Sequence, residues 1–307
     1  MTDAATLLVP PRRRRAGRGA RLRAAVYGLL GVVALAVVWE LYKWLGPVDG
    51  LVAGDVRILP RTSDLAMPHV WDMIARMFEP VTRAEGARVL WLEIVLAASL
   101  TLGIAAAGWV VGVVVGMAFA LIMQRWLIAE SALLPWIVLS QTVPLIAFAP
   151  LVKSWGSRIE IGTFEWQDWM SVAVIASYLA FFPVAVGALR GLQAPDRLHL
   201  ELLHTYSAGW WPTLVHLRLP AAVPFLLPAL RLAAANAVVG AVVAEVSTGL
   251  QGGIGRLVIQ YAGQASGDPA KAWAPIFGAI ALGLIAAGSV ALLGLLAKNY
   301  RRTEGAS

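Results

Sequence analysis

Long apolar stretches separated by short polar segments make up most of the chain. Five of these stretches contain no charged residue, namely residues 24–39, 94–124, 131–152, 169–189 and 272–297. A sixth stretch, residues 219–244, contains only Arg231, whose long stem lets its charge reach the membrane surface. Because a membrane-spanning helix needs about 20 mainly apolar residues, the pattern predicts an all-α, polytopic membrane protein with six transmembrane helices.

The second stretch is longer than a bilayer requires. We therefore expect residues 94–102 to lie along the membrane interface before the helix turns into the bilayer. Within the same stretch, Gly108, Gly112 and Gly116 recur every four residues. Small residues at this spacing allow two helices to approach closely, within one chain or between two chains, and contact within the chain is the favoured interpretation.

The composition agrees with a membrane protein. Of the 307 residues, 59% are hydrophobic and only 14% are charged, which is too few charges to cover the surface of a soluble protein of this size. The high apolar content also excludes a disordered chain. Because the chain has no cysteine, a disulfide framework, a thiol-ligated metal and a cysteine nucleophile are excluded as well.

Basic residues predict the orientation in the membrane, because Lys and Arg concentrate in short segments on the cytoplasmic side. Seven arginines lie within the first 23 residues, and three basic residues follow the last stretch. This predicts a cytoplasmic tail (1–23), a six-helix domain (24–302) and a cytoplasmic C-terminal tail (303–307). The loop 190–220 is then cytoplasmic and the loop 46–90 external. The external loop contains five arginines, but long loops cross the membrane largely regardless of charge.

The first forty residues also allow another interpretation, a cleaved signal peptide. It is less favoured because no small-residue cleavage site follows Trp39. The arginine run at residues 12–15 is interpreted as a solvated tail that meets anionic lipid headgroups. Nucleic acid is therefore not expected as a partner.

Residues that could catalyse a reaction are scarce. The four histidines lie in predicted loops and form no HExxH pair, so neither a metal site nor a catalytic centre is predicted. The chain also contains no GxxxxGK[ST] phosphate-binding loop. We therefore expect no enzyme activity, and the energy for any transport must come from an ion gradient or from a separate ATPase.

Few strongly polar side chains lie within the predicted spans. Gln141 and Asn236 are uncharged, and Glu245 lies near the predicted external end of the fifth span, before the glycine-rich residues 249–255. Polar groups at depth mark the translocation pathway of many transporters, so these three residues are candidate pathway residues. Hydrogen bonds between helices explain Gln141 and Asn236 equally well, and a carboxylate facing water explains Glu245 equally well.

The predicted cytoplasmic loop contains an amphipathic segment, residues 196–220. Apolar residues recur at helical spacing before and after Gly209, which predicts two short helices joined by a bend of small residues. The apolar faces have no further protein in this chain to cover them. The 196–220 segment therefore either docks on another subunit or lies on the lipid surface.

The 196–220 segment resembles the EAA loop of bacterial ABC-importer permeases. That motif is a glutamate, two small residues, a glycine, an aliphatic residue and a final Leu-Pro, spread over twenty residues. The matching positions here are Glu201, Leu202, Leu203, Ser207, Leu217, Leu219 and Pro220. Leu202 and Leu203 replace the usual alanines. Ser207 replaces the glycine, and we expect it to begin the second helix as an N-cap.

Further parts of the chain are similar to the nitrate, sulfonate and taurine branch of these permeases. Residues 139–156 match a proline-bearing third core helix that runs into a Trp-Gly turn, and Glu245 with the glycines after it also matches. The resemblance extends over residues 24–300. Residues 157–169 depart from it, because they are longer than the short turn expected there.

The resemblance implies the fold of a type I ABC-importer permease with cytoplasmic coupling helices, located in the bacterial inner membrane. A second permease chain, identical or homologous, would complete the pathway through the lipid bilayer. Two cytoplasmic ATPase subunits would hold ATP and Mg²⁺, an external solute-binding protein would deliver the solute, and this chain itself would carry no cofactor. The residues implied to contact the ATPase are Glu201, Leu202, Leu203, His204, Tyr206, Ser207, Ala208, Gly209, Leu217, Leu219 and Pro220.

In that arrangement, side chains of the segment would fill a groove on the ATPase, with Glu201 at its rim. The side chains expected in the groove are those of Leu202, Leu203, Tyr206 and Trp210. The solutes implied are a small anion such as nitrate, a sulfonate or taurine, or a nitrogen heterocycle such as a pyrimidine or a flavin. The alternative is a self-contained secondary transporter driven by an ion gradient, and a membrane-embedded enzyme is a third possibility.

Overall fold

A computed structural model describes residues 18–53 and 56–296, and helices make up most of them. The predicted tails 1–23 and 303–307 thus lie outside the described residues, apart from residues 18–23. Within the described part the helices are α1 (Arg18–Leu45), α2 (Val70–Arg76), α3 (Leu90–Arg125), α4 (Leu127–Ser140), α5 (Leu145–Gly156), α6 (Asp168–Leu192), α7 (Arg197–Thr205), α8 (Trp210–Thr213), α9 (Leu219–Thr248), α10 (Ile254–Ala262) and α11 (Ala274–Leu296). A π-helical turn (Leu214–Arg218) joins α8 to α9, and a 3₁₀ turn (Lys271–Trp273) precedes α11. Strands β1 (Leu51–Ala53) and β2 (Val56–Leu59) form one antiparallel pair, and β3 (Glu160–Ile161) and β4 (Phe164–Glu165) form another.

The membrane-spanning character predicted from the apolar pattern is confirmed. Among the described residues, five helical segments are long and apolar enough to cross a membrane, and they are Val26–Leu45, Leu90–Arg125, Asp168–Leu192, Trp210–Thr248 and Lys271–Leu292. The pair α4 and α5 passes the same test when it is taken together, which gives up to six spans if this bent pair is counted as one. The chain is therefore an all-α polytopic membrane protein.

The third predicted span, residues 131–152, is not one uninterrupted helix. α4 and α5 meet at an angle of 102°. Pro144 lacks a backbone N–H and disfavours a helical conformation at Val143, and Pro144 itself is the extended N-cap residue of α5. The Tyr178 hydroxyl of α6 donates a hydrogen bond to the Ser140 carbonyl at the end of α4. A side chain from a neighbouring helix thus satisfies a backbone group that the break exposes.

The second span was also predicted incorrectly at its beginning. Residues 94–102 form no separate segment before the span, because they belong to α3, one continuous helix of 36 residues that is about 54 Å long. Ile94 and Ala97 are buried in an apolar cluster together with Ile254 and Tyr261. Ile254 and Tyr261 come from α10, so protein covers one face of the first turns of α3, whereas Val95 and Leu96 on another face are exposed.

Small residues bring α3, α6 and α9 into direct contact. A Cβ atom added to Gly112 of α3 would lie 2.7 Å from the Ala180 Cβ of α6, and one added to Gly108 would lie 2.5 Å from the Ala176 Cβ. On the other side of α6, a Cβ added to Gly191 would lie 2.9 Å from the Ala222 Cβ of α9. The prediction that the glycines spaced by four residues pack within the chain is therefore confirmed.

The chain divides into two compact units, residues 1–72 and 73–307, so the division falls within the predicted external loop 46–90. In the first unit, polar side chains of α1 hold the segment that follows the β1–β2 hairpin. Lys43 donates to the Asp64 carboxylate at 2.7 Å and to the Met67 carbonyl at 2.6 Å. Glu40, the first charged residue after the stretch 24–39, accepts from the Val70 backbone N–H at 2.7 Å.

The insertion at residues 157–169 forms the β3–β4 hairpin between α5 and α6. The Trp166 ring covers Gly156 at the end of α5, and its indole N–H donates to the buried Ser171 hydroxyl at 2.8 Å. Both flanking helices therefore anchor the hairpin, which explains why the chain is longer here than a simple turn.

Candidate functional site

The 196–220 segment begins directly after α6 with a capped helix, α7. The Asp196 carboxylate accepts from the Leu198 backbone N–H at 3.4 Å and caps the first turn. Within α7, Arg197 donates to Glu201 at 2.8 Å, and both side chains are largely exposed. Glu201, the glutamate of the motif, therefore makes only a surface ion pair within the chain, and such pairs contribute little to stability.

An apolar stripe lies exposed along α7. Leu198 and Leu202 lie on one side of α7, and the C-cap residue Tyr206 follows at the same interval of four residues. Their exposed fractions are 69%, 53% and 78%, and no residue of α7 is buried. Exposed apolar surface of this kind is typical of an interaction site. Leu198 is not part of the motif, and its place in the stripe follows from the helical geometry.

The bend after α7 depends on the backbone conformation of Ser207. Its φ angle is +56°, in the left-handed region, and among the described residues every other residue with a positive φ is a glycine. This explains why the related motif has glycine at this position. The expectation that Ser207 caps the second helix was wrong, because Gly209 is the N-cap residue of α8.

Replacing Ser207 by glycine should stabilise the chain. A non-glycine residue in the left-handed region costs about 1 kcal/mol, and the Ser207 side chain is exposed, so glycine removes this cost without leaving a cavity. We expect Ser207→Gly to raise the midpoint temperature of thermal denaturation of the purified chain. Ser207→Val should lower it, because a branched side chain tolerates this conformation poorly. A lower midpoint for the glycine variant would contradict the assigned strain.

The second half of the segment is not a separate short helix, contrary to the prediction. α8, the π-helical turn and α9 form one continuous helical segment, Trp210–Thr248. The Trp210 indole donates to Gln124 at 3.2 Å, and the Arg125 guanidinium lies 5.1 Å from its ring centre. Leu214 is buried in the cluster formed with α3 and α6. Trp210 is therefore held by its own chain and does not extend freely towards a partner.

The remaining residues assigned to ATPase contact divide between the two halves. Leu203 and Ala208 are half-buried, whereas His204 and Gly209 are exposed. In the second half, Leu217, Leu219 and Pro220 are all half-buried. Trp211, which the motif does not include, has an exposed fraction of 68%. A cavity of about 650 Å³ borders the segment, and its lining includes Asp196, His199, His216, Leu217 and Pro220.

The candidate pathway residues lie at different places in the core. Gln141 is the C-cap residue of α4 at the break of the third span, and it lines a cavity of about 340 Å³ with Pro144 and Tyr178. Asn236 is half-buried and donates to the Leu179 carbonyl of α6 at 3.4 Å. This bond is of the helix-to-helix kind that was one of the two interpretations for Asn236.

Glu245 is fully buried at the end of α9, so the interpretation of a carboxylate facing water was wrong. It accepts hydrogen bonds from the Thr101 hydroxyl of α3 and from the Gly255 backbone N–H of α10, both at 2.8 Å. Among the described residues, no group of three or more His, Asp or Glu side chains is arranged to hold a metal ion.

Known proteins similar to this chain are transport permeases. Residues 90–302 match the family described as binding-protein-dependent transport system inner membrane component. The formylaminopyrimidine transport permease protein ThiX of Halalkalibacterium halodurans is 30% identical over 252 residues, which cover 78% of this chain and 94% of ThiX.

Two further relatives carry other names. The riboflavin transport system permease protein RibX of Chloroflexus aurantiacus is 30% identical over 44% of this chain and 46% of its own length. The putative aliphatic sulfonates transport permease protein SsuC of Bacillus subtilis is 26% identical over 76% of this chain and 72% of its own length. The names of these relatives thus refer to different solutes.

Proposed function

This chain belongs to the family of binding-protein-dependent transport system inner membrane components, which makes it a membrane permease of an ABC importer, and we propose that its 196–220 segment is the docking site of a cytoplasmic ATPase. Two copies of the permease, or this chain with a homologous one, enclose the pathway. An external solute-binding protein delivers the solute. ATP and Mg²⁺ bind to the ATPase, and both termini of this chain are cytoplasmic.

The observation that carries this proposal is the exposed apolar stripe of α7. A helix that presents Leu198, Leu202 and Tyr206 to its surroundings suits a groove on another protein, in the manner of helix-in-groove recognition. The other half of the segment continues into α9 without interruption. A movement imposed on the stripe would pass the bend at Ser207 and then reach the transmembrane core through the continuous helical segment Trp210–Thr248.

For the solute, a planar nitrogen heterocycle fits the chain better than a small anion does. ThiX, the formylaminopyrimidine permease, matches this chain over 94% of its own length. Gln141 and Tyr178 line the cavity at the break of the third span, and Phe148 and Phe181 pack against Tyr178 with ring centres 5.6 and 5.9 Å from its own. One aromatic ring and one amide provide stacking and hydrogen bonding for a planar ring.

Reconstitution tests this proposal directly. The chain is placed in proteoliposomes with a candidate ABC ATPase and a candidate solute-binding protein from the same organism, and uptake of formylaminopyrimidine, riboflavin and taurine is compared. We expect ATP-dependent uptake of a heterocycle that requires both partners. Uptake driven by an ion gradient in the absence of an ATPase would overturn the proposal in favour of a secondary transporter. Uptake of taurine alone would overturn only the proposed solute class.

A further inference from the structure

A buried polar cluster joins three helices at the end of α9 that lies far from the 196–220 segment. The Glu245 carboxylate of α9 accepts from the Thr101 hydroxyl of α3 and from the Gly255 N–H of α10. The Thr101 oxygen in turn accepts from the Ile254 N–H of α10 at 2.9 Å. Glu245, Thr101 and Ile254 each have an exposed fraction of 0%.

These bonds replace the N-cap that α10 lacks. The residue before α10 is Gly253, which has no side chain to cap the helix. The first backbone N–H groups of a helix have no partner within it, and its positive end attracts a negative charge. Thr101 and Glu245 satisfy two of these groups from neighbouring helices. Gly253 permits this arrangement, because an added Cβ would collide with the Glu245 carboxylate.

The other end of α10 is held differently. Tyr261 is 1% exposed, and the Lys271 ammonium lies 4.4 Å from its ring centre. Burial, with a smaller contribution from the nearby Glu93 charge, raises the pKa of Tyr261 to about 12, so its hydroxyl stays protonated. Side-chain hydrogen bonds from α9 and α3 therefore hold the first turn of α10, whereas its last turn is held by burial of Tyr261 and by Lys271.

α9 connects this cluster to the 196–220 segment. The continuous helix Trp210–Thr248 begins within the 196–220 segment, and Glu245 lies near its other end. This helix includes a π-helical turn and two prolines within α9, Pro224 and Pro228, but it is continuous. The position of Glu245 therefore depends on the position of the 196–220 segment.

We propose that Glu245 and Thr101 form a latch that couples α10 to α9, so that movement of the ATPase-docking segment repositions α10 at the external end of the pathway. This rests on the proposed function. Glu245 is a positioning residue in this latch. It holds α10 in place and does not touch the solute. Loss of the latch leaves the ATPase docked and able to hydrolyse ATP, but α10 no longer follows α9.

Thr101→Val and Thr101→Ser are a matched pair for the test. Valine keeps the branched shape and removes the hydroxyl, which donates to Glu245 and accepts from Ile254, whereas serine keeps the hydroxyl. Since the chain has no cysteine, Ala262→Cys, at the exposed end of α10, accepts one environment-sensitive fluorophore before assembly with the ATPase in nanodiscs. The movement is then triggered with Mg-ATP and vanadate, so the test does not require the solute to be known.

In the otherwise unchanged chain and in Thr101→Ser, we expect trapping by vanadate to change the fluorescence. In Thr101→Val, the fluorescence change per assembled complex should be reduced at least about fivefold. ATP hydrolysis should be retained. A purely structural role would lower only the amount of complex. An unchanged response in Thr101→Val would overturn the latch.

Glu245→Met provides a second variant in case the valine variant does not assemble. Methionine keeps a similar length but has no oxygen to accept from Thr101 or from the Gly255 N–H, so the same loss of response is expected. If the unaltered complex binds and hydrolyses ATP and α10 never responds, the latch is wrong while the proposed function stands. If the unaltered chain recruits no ATPase, both are wrong.

Discussion

Leu202→Asp and Tyr206→Asp should each release the ATPase and abolish ATP-driven uptake, while the chain still inserts into the membrane. Both side chains belong to the exposed stripe of α7, and neither is buried within the chain. An aspartate there places an unpaired charge in an apolar contact, which costs at least about 2 kcal/mol at the centre of an interface. We therefore expect the affinity for the ATPase to fall about 30-fold or more.

Co-purification of the ATPase with the tagged permease measures this effect, and uptake in proteoliposomes measures its consequence. Leu202→Met and Tyr206→Phe are the matched controls, because they keep an apolar side chain of similar size. Both controls should bind the ATPase as the unaltered chain does. Undiminished co-purification of the two aspartate variants would show that the stripe has another purpose, such as contact with lipid.

Gly112→Leu should prevent the chain from folding stably. The added Cβ atom would lie 2.7 Å from the Ala180 Cβ and 2.8 Å from the Ser177 carbonyl oxygen, and the rest of a leucine side chain has no space between α3 and α6. The two helices must then separate, which we expect to cost at least about 3 kcal/mol. The measurement is the midpoint of thermal denaturation in detergent, with the amount of monodisperse protein as a second readout.

Gly103→Leu is the control for this prediction, because Gly103 lies in the same helix and an added Cβ atom meets nothing within 4 Å. It makes the same change in helix propensity and hydrophobicity as Gly112→Leu, but without a collision. We expect its denaturation midpoint to equal or exceed that of the unaltered chain. Equal destabilisation by both variants would mean that the close contact of α3 with α6 is not the cause.

Patterns of neighbouring residues in the sequence predict many of the structural features of this protein. The apolar stretches predict the spans because a bilayer accepts only helices whose backbone groups bond internally. The recurrence of Gly108, Gly112 and Gly116 predicts a close helix contact, and Leu202 with Tyr206 predicts an amphipathic helix. Each of these features depends on residues within one continuous stretch of the chain, so spacing along the chain is sufficient to reveal them.

Other features depend on residues far apart in sequence. Trp210 belongs to an amphipathic pattern, yet whether it meets a partner or its own chain depends on Gln124 and Arg125, at the end of another helix. The apolar residues 131–152 predict one straight span. The pattern alone does not show that the chain changes direction at Pro144, or by what angle. The partner of α7 cannot be read from this chain, since the groove that would receive it belongs to another protein.

The sequence by itself determined that this is a helical membrane permease, because hydrophobicity and the spacing of the 196–220 motif are properties of the chain alone. Only the tertiary structure decided what the polar residues do. Glu245 near a membrane surface is equally consistent with a solvated carboxylate and a pathway residue, until Thr101 and Gly255, 144 and 10 positions away, are brought against it. Burial and hydrogen bonding are relations between distant segments, and packing has to establish them before such a residue has a defined chemical role.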